Sequence, residues 1–344
     1  MPVIQPPSKV LVSGANGYIA MWVIRNLLEH GYSVRGTVCS VREGEHAKKY
    51  FADYGAKFDI VLVEDITKMG AFDEAVKGVD AVAHIASPVY SCADMVQIAV
   101  KGTVGILRSA LQFGQSIKRI VYTSSAAAML REVNQPTIFT EKDWNFQIVE
   151  LFMKQGEDAS DMTKYRASKT LAEQGAWSFV KEHQHEISWD LTVLNPTYVF
   201  GPAIQEVAGP TSLNFSARMF YDHVADSSKA AKQSLSISTF TWVDVRDVAK
   251  AHRRALEIPE ARSERIIISA GPWRWQDFID TANSLDPSPQ LSKPLPKGNP
   301  GVGLQLPCMN NFDNTKSQRI LGVEYRSMAE MTRDTFADYE ARGW

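Results

Sequence analysis

Cysteine is scarce in this chain of 344 residues: the three present, Cys39, Cys92 and Cys308, lie far apart and form no Cys-x-x-Cys pair. That excludes a disulfide framework and a thiolate metal site, and no metal is expected. Long apolar runs are missing as well, because no uncharged apolar stretch approaches the roughly 18 residues that a membrane helix requires. No membrane partner is expected. Charge of one sign is absent too: 37 Lys and Arg stand against 39 Asp and Glu, mixed along the chain, so no global field favours nucleic acid. Met1 to Ser8, short and proline-containing, lacks the basic and apolar regions of a secretory leader and reads as a loose arm. The expected location is a reducing cytoplasm.

What is present is alternation. From Lys9 onward, short β-branched runs alternate with longer amphipathic stretches, the pattern of a parallel sheet wrapped by helices. Strands are predicted at Val10 to Ser13, Ser33 to Val38, Asp59 to Val63, Ala81 to Ile85, Arg119 to Thr123 and Leu191 to Leu194, each apolar enough for burial on both faces. The first helix is predicted over Tyr18 to His30, ending at Gly31. Beyond Gly201 the chain becomes richer in Pro, Ser and Gly, with helices expected at Val243 to Leu256, Phe278 to Leu285 and Met328 to Glu340. The fold class is therefore α/β, a doubly wound parallel sheet over residues 1–200 with a smaller C-terminal α/β substrate lobe over 201–344. Some segments of that lobe are expected to return to the first.

The turn Gly14-Ala15-Asn16-Gly17-Tyr18-Ile19-Ala20 follows the first strand and opens the first helix. In that context two glycines let the backbone approach a pyrophosphate, while the helix N-terminus offers free N–H groups and a favourable dipole. Gly14, Asn16, Gly17, Tyr18 and Ile19 are the predicted contacts. No acid stands at the tip of the second strand, where an NAD enzyme bonds the ribose 2′-hydroxyl. Arg42, with Lys48 or Lys49 as lesser helpers, is placed to face a 2′-phosphate, so NADP(H) is the expected cofactor, with a solvated Arg42 and NAD as the alternative. Asp65 and Ile66 after the third strand fit the adenine end, and Ala86 and Ser87 after the fourth fit the crevice itself.

Of the 11 tyrosines, only Tyr165 has a lysine four residues on, Lys169. On a helix this spacing puts both side chains on one face, where the ammonium is expected to favour the phenolate. Thr123-Ser124-Ser125 ends the fifth strand, where the catalytic residues of open α/β sheets gather. Ser125 is then placed to donate to a substrate carbonyl oxygen while Tyr165 supplies the proton. A plain helix-capping role is the alternative for Ser125.

These residues closely resemble the extended short-chain dehydrogenase/reductase family. Gly14-x-x-Gly17-x-x-Ala20, His84-Ile85-Ala86-Ser87-Pro88, Thr123-Ser124-Ser125, Tyr165-x-x-x-Lys169, the run Asn195 to Pro202 and the run Asp244 to Ala249 occur in the family's order. Within it, the chain resembles the branch of methylglyoxal, aldehyde and ketone reductases related to dihydroflavonol reductase. The resemblance implies a Rossmann-type fold, Ser125 as the catalytic serine, Tyr165 as general acid and Lys169 on the nicotinamide ribose. It further implies that Thr123, Pro196 and Val199 border the cofactor, and that Val89, Ala126, Leu130, Met162 and Tyr198 border an apolar substrate pocket. Cys39 stands where many relatives carry an arginine, and Lys101 where many carry an asparagine.

The expected activity is NADPH-dependent reduction of a small-molecule aldehyde or ketone to a chiral alcohol, by a monomer or homodimer. Its rivals are a nucleotide-sugar epimerase or dehydratase with the same centre, and a catalytically silent dinucleotide sensor. His84 is read as structural, His183 and His185 as solvated, Trp242, Trp273, Trp275 and Phe278 as core, and Asp244, Arg246 and Asp247 as a polar link between lobes.

Overall fold

A computed structural model describes residues 1–87, 94–230, 240–301 and 307–344. In the first half, strands β1 (Lys9–Val12), β2 (Ser33–Val38), β3 (Phe58–Leu62), β4 (Ala81–His84) and β5 (Arg119–Thr123) are interleaved with helices α1 (Tyr18–Glu29), α2 (Val41–Tyr50) and α3 (Met95–Phe113). There follow β6 (Thr137–Phe139), α4 (Phe146–Gln155), α5 (Asp161–Glu182), β7 (Asp190–Pro196) and β8 (Tyr198–Phe200). The remainder comprises α6 (Phe215–Phe220), α7 (Ser227–Ala230), β9 (Phe240–Asp244), α8 (Val245–Glu257), β10 (Arg265–Ile268), β11 (Gly271–Trp273), α9 (Trp275–Asn283), β12 (Asn310–Phe312), α10 (Thr315–Leu321) and α11 (Met328–Ala341).

Seven strands form one sheet in the order β10-β7-β5-β4-β1-β2-β3, and every pairing in it is parallel. The chain runs outward from β1 through β2 to β3, then crosses back to β4, so the order reverses between β1 and β4. A crevice opens at the carboxyl ends of strands at such a reversal. The sheet's two faces are covered separately. Val23, Ile24 and Leu27 of α1 pack with Val248, Ala251 and Ala255 of α8 on one side. Ile106 and Ala110 of α3 pack with Ala172 and Ala176 of α5 on the other.

The fold is the expected one, and the first five strands lie within a residue of their predicted bounds. The sixth is longer than expected, Asp190–Pro196 against Leu191 to Leu194. β3 departs from the expected burial: as the edge strand its residues are half-buried or exposed, because one flank has no neighbour to cover it. β10 was not foreseen. Its four residues are all buried beside β7, although they follow the irregular second half. The N-terminal arm is also not loose. Val3 donates its backbone N–H to Glu257 (2.8 Å), and Ile4, 1% exposed, joins the core under α1 and α8.

The second lobe is built on the sheet β11-β9-β8, with β12 paired to β6 nearby. The helix expected from Val243 starts at Val245, because Val243 and Asp244 complete β9 and the Asp244 side chain caps the helix through Arg246 N. α9 begins three residues earlier than expected, and α11 ends one later. Phe200, Phe220, Trp273, Phe278 and Phe336 make the lobe's aromatic core, with Trp242 and Trp275. Ion pairs run from Arg246 to Asp244 and Asp334, and from Arg326 to Asp247, all within the second half of the chain.

Candidate active site

Gly14 sits in the left-handed region at φ +68°, and a Cβ there would lie 3.2 Å from the Ala86 backbone. A side chain at this position would force apart the two loops that form the crevice floor. Thr37 holds the turn to β2, its Oγ1 accepting from Gly14 N (3.3 Å) and its carbonyl from Ala15 N (2.8 Å). Gly17 is the N-cap of α1, with Gly14 O 3.1 Å from where its Cβ would be. The loop after β4 is fixed by Ser13, whose Oγ accepts from Ile85 N and Ala86 N, both at 2.9 Å. That leaves the Ser13 proton for His84 Nδ1, 2.9 Å away. Burial, then the charge of Lys169, lowers the His84 pKa to about 3. The imidazole is thus a neutral structural group, as the sequence suggested.

The crevice, of about 700 Å3, is lined by Gly14, Asn16, Gly17, Tyr18 and Ile19 at the turn. Ala86, Ser87, Thr123, Pro196 and Val199 follow along it, and Asp65 and Ile66 stand at one end. Two of these contribute mainly backbone. The Tyr18 hydroxyl points to the second lobe and donates to Gly201 O (2.8 Å), and Thr123 Oγ1 bonds His252 (2.7 Å). Asp65 accepts from Thr67 N and Oγ1, and these bonds hold its carboxyl below the usual range.

Arg42 does not line the crevice; it lies exposed in the first turn of α2. Cys39 and Glu43 line it instead, with the thiol donating to Glu43 Oε2 at 2.8 Å. Glu43 comes one helical step after Arg42, and that step of about 100° turns the carboxylate inward and the guanidinium outward. Lys48, Lys49 and Lys101 are likewise exposed.

Ser125, at the end of β5, and Tyr165, on α5, line the same crevice, and the Ser125 hydroxyl is near enough to act on the phenol, favouring its ionised form. The Ser160 side chain starts α5 by accepting from Thr163 N, which sets the helix so that Tyr165 and Lys169 both face the crevice. Ser125 also caps the short turn 126–128, accepting from Ala127 N at 3.1 Å, so the capping role and the tyrosine contact coexist. Lys169 is 6% exposed; its Nζ donates to Ser87 Oγ (3.0 Å) and lies 5.9 Å from the Tyr165 ring centre.

The electrostatics differ from the expectation. Burial raises the Tyr165 pKa, outweighing the lowering effects of the Ser125 hydroxyl and of Arg166. Lys169, itself brought down to about 8 by burial against the opposing pull of Glu173, does not draw the phenol toward phenolate. One of its three donors is engaged by Ser87. Tyr165 therefore keeps its proton at neutral pH, the state that a proton donor needs.

Beneath the pair lies Glu173, fully buried one turn beyond Lys169. It accepts from Ser124 Oγ (2.6 Å), Asn195 Nδ2 (2.8 Å) and Arg265 Nε (2.5 Å). Asn195 Nδ2 also donates to Ser125 O (3.2 Å), so one carboxylate steadies both the serine and the lysine helix. The sequence signal for it is an acid four residues after Lys169.

At the other end the wall contains Ala126, Leu130, Met162 and Tyr198, while Val89 lies outside the described residues. Phe215, Phe240 and Phe312 join them from the second lobe, brought in by tertiary contacts that no local pattern announces. The wall is not wholly apolar as expected. Asn214, Asn310 and Arg166 stand in it as well.

A glycine turn at the N-terminus of α1, in a parallel sheet at its point of reversal, defines a dinucleotide-binding α/β protein, and the Gly14 cradle that a Cβ would fill fits a pyrophosphate. Residues 10–271 match the NAD dependent epimerase/dehydratase family, and the chain belongs to it. It is 34% identical over 330 residues to the ketoreductase azaE of Aspergillus niger, covering 93% of this chain and 94% of that one. It is equally 34% identical to the NADPH-dependent methylglyoxal reductase GRE2 of Saccharomyces cerevisiae, over 95% of this chain and 96% of the other. Among solved structures, yeast methylglyoxal/isovaleraldehyde reductase Gre2 complexed with NADPH superposes with a TM-score of 0.84, at 31% identity, over 97% of this chain and 98% of that one.

Proposed function

We propose that this chain is an NADPH-dependent carbonyl reductase, converting aldehydes and ketones to alcohols, chiral where the carbonyl is unsymmetrical, through Ser125, Tyr165 and Lys169. The observation that carries the reading is the convergence of Ser125, Tyr165 and Lys169 in one crevice, with the Lys169 amine 5.9 Å from the Tyr165 ring centre. The similarity to NADPH-dependent reductases along nearly the whole chain supports it. NADPH would be held by the N–H groups of the 14–19 turn, by Asp65 and Ile66 at the adenine, and by Ala86, Ser87 and Thr123 along the middle. Lys169 would hold the ribose, with Pro196 and Val199 at the nicotinamide. For the 2′-phosphate this chain offers the start of α2, with Ser40 as its cap.

When bound, NADPH supplies the hydride. Ser125 donates its hydroxyl proton in a hydrogen bond to the carbonyl oxygen and so stabilises the charge that develops there. Tyr165 transfers its phenolic proton to that oxygen. An alkoxide is a far stronger base than a phenolate, so the transfer runs downhill even from a phenol whose pKa burial has raised. The ammonium of Lys169 then faces the phenolate left behind. Phe240, Phe312 and Leu130 line the same crevice and would keep water from the reacting carbon.

Tyr165→Phe provides the test. Turnover of NADPH with a panel of aldehydes, α-dicarbonyls and aryl ketones should disappear, while NADPH binding measured by fluorescence stays within about threefold. A variant that retains activity within tenfold, or a wild type that converts UDP-sugars and no aldehyde or ketone, overturns the reading.

A further inference from the structure

Arg166 follows Tyr165 on α5 and lines the same crevice, half-buried. Among the described residues its guanidinium has no hydrogen bond and no ion pair, in a protein where Arg119, Arg246, Arg253, Arg265 and Arg326 are all tied to carboxylates. The described crevice walls hold three acids, Glu43, Glu64 and Asp65, all at the ends of β2 and β3 and so at the opposite end from Arg166. The stretches 88–93, 231–239 and 302–306 contain no Asp or Glu at all. No side-chain carboxylate of those segments is available to neutralise this charge. Arg166 does make itself felt by both phenols of the site, lowering the pKa of Tyr165 and of Tyr198 against the larger effect of burial. It thus stands beside the reacting position with its donors uncommitted.

We infer that Arg166 binds the carboxylate of the substrate, so that the carbonyl compounds reduced here are oxo acids. A guanidinium presents parallel N–H donors that match the two oxygens of a carboxylate. Besides Lys169, which is bonded to Ser87, no second cation stands at this end of the described crevice. A single fork suits a monoanion and underserves the two charges of a phosphate ester. The neighbouring Phe215, Phe240 and Phe312 take the hydrocarbon between the two polar ends, and Asn310, whose buried Oδ1 has no partner, adds a second polar point. This assignment rests on the carbonyl-reductase reading, since it places the anion relative to the carbonyl held by Ser125 and Tyr165.

The experiment measures kcat/KM with NADPH for 4-formylbenzoate and its methyl ester, and for glyceraldehyde with and without a 3-phosphate, in wild type, Arg166→Gln and Arg166→Lys. In wild type the free acid should exceed its ester by about 10- to 100-fold, the range of a charge-assisted hydrogen-bonded pair. In Arg166→Gln that ratio should fall to near one, chiefly through KM for the acid, and Arg166→Lys should restore part of it. Because the ratio is read within one protein, it is insensitive to a general loss of folded enzyme. Benzoate should compete with 4-formylbenzoate in wild type and cease to do so in Arg166→Gln. An ester reduced as well as the acid by wild type overturns the inference while leaving carbonyl reduction standing. A gain on adding the 3-phosphate that exceeds the acid-to-ester ratio overturns the carboxylate assignment. Failure to reduce any aldehyde or ketone removes both the inference and the reading beneath it.

Discussion

Glu173 and Arg265 form a buried ion pair, Nε to Oε1 2.5 Å, with side-chain exposures of 0% and 9%. The pair ties the Tyr165 helix to the outermost strand of the sheet. Arg265 Nη1 donates to the carbonyls of Glu141 and Asp143, and the guanidinium lies 3.7 Å from the centre of the Trp144 ring.

Removing one member of this pair leaves the other charged and unsatisfied in the interior. Glu173→Gln should therefore destabilise the fold by about 3–5 kcal/mol, whereas the paired replacement of Glu173 and Arg265 by methionine should cost less than the single change. Urea denaturation of the three proteins measures the difference. The single variant should also show a lower pKa for Lys169, since Glu173 is what opposes the effect of burial there.

Acid should weaken the protein through His252. Its Nδ1 donates to Val248 O (2.8 Å) and its Nε2 accepts from Thr123 Oγ1 (2.7 Å), a pattern that only the neutral ring satisfies. Burial brings its pKa down from 6.5 to about 4. The unfolded chain protonates this ring below pH 6.5 and the folded chain only below about 4, so stability is whole above 6.5 and falls as pH drops between the two values. The loss is on the order of 3 kcal/mol, and His84 adds to it in the same direction. His252→Gln should flatten the acid limb of a plot of unfolding free energy against pH, relative to wild type. An unchanged limb would contradict the assignment.

The glycine turn makes a sharper demand. Gly14→Ala places a Cβ 3.2 Å from the Ala86 backbone and forces a left-handed residue that an L side chain resists by about 1–2 kcal/mol. The dissociation constant for NADPH should rise at least tenfold, and the thermal midpoint should fall further below wild type with cofactor present than without it, because the variant gains less from binding. Fluorescence titration and calorimetry read the two effects.

The sheet and its crevice were legible because their signals are local. β1 to β5 are short runs of Val, Ile and Ala between turns, and Tyr165 and Lys169 meet through helical spacing alone. What escaped notice depends on pairing across the chain. Nothing within Arg265-Ile-Ile-Ile268 says that it adds to β7, and Ile4 looks like part of a loose arm until Glu257 receives Val3. Arg42 has the sign of charge that a 2′-phosphate needs. The helical face of α2, one residue out of phase, presents Glu43 to the crevice instead. Arg166 is visible beside Tyr165 in the sequence, but that the carboxylates lining the described crevice lie at the ends of β2 and β3 shows only in the fold.

The placement of β10 constrains how the molecule is made. Its residues lie more than sixty positions after β7, yet they flank it, and the cation that neutralises Glu173 arrives with them. A nascent chain halted at Gly201 would carry an uncovered strand and an uncompensated carboxylate in its interior. Cutting the chain between its two halves should thus yield no self-sufficient nucleotide-binding fragment, and the reaction centre matures only after translation has passed Ile268.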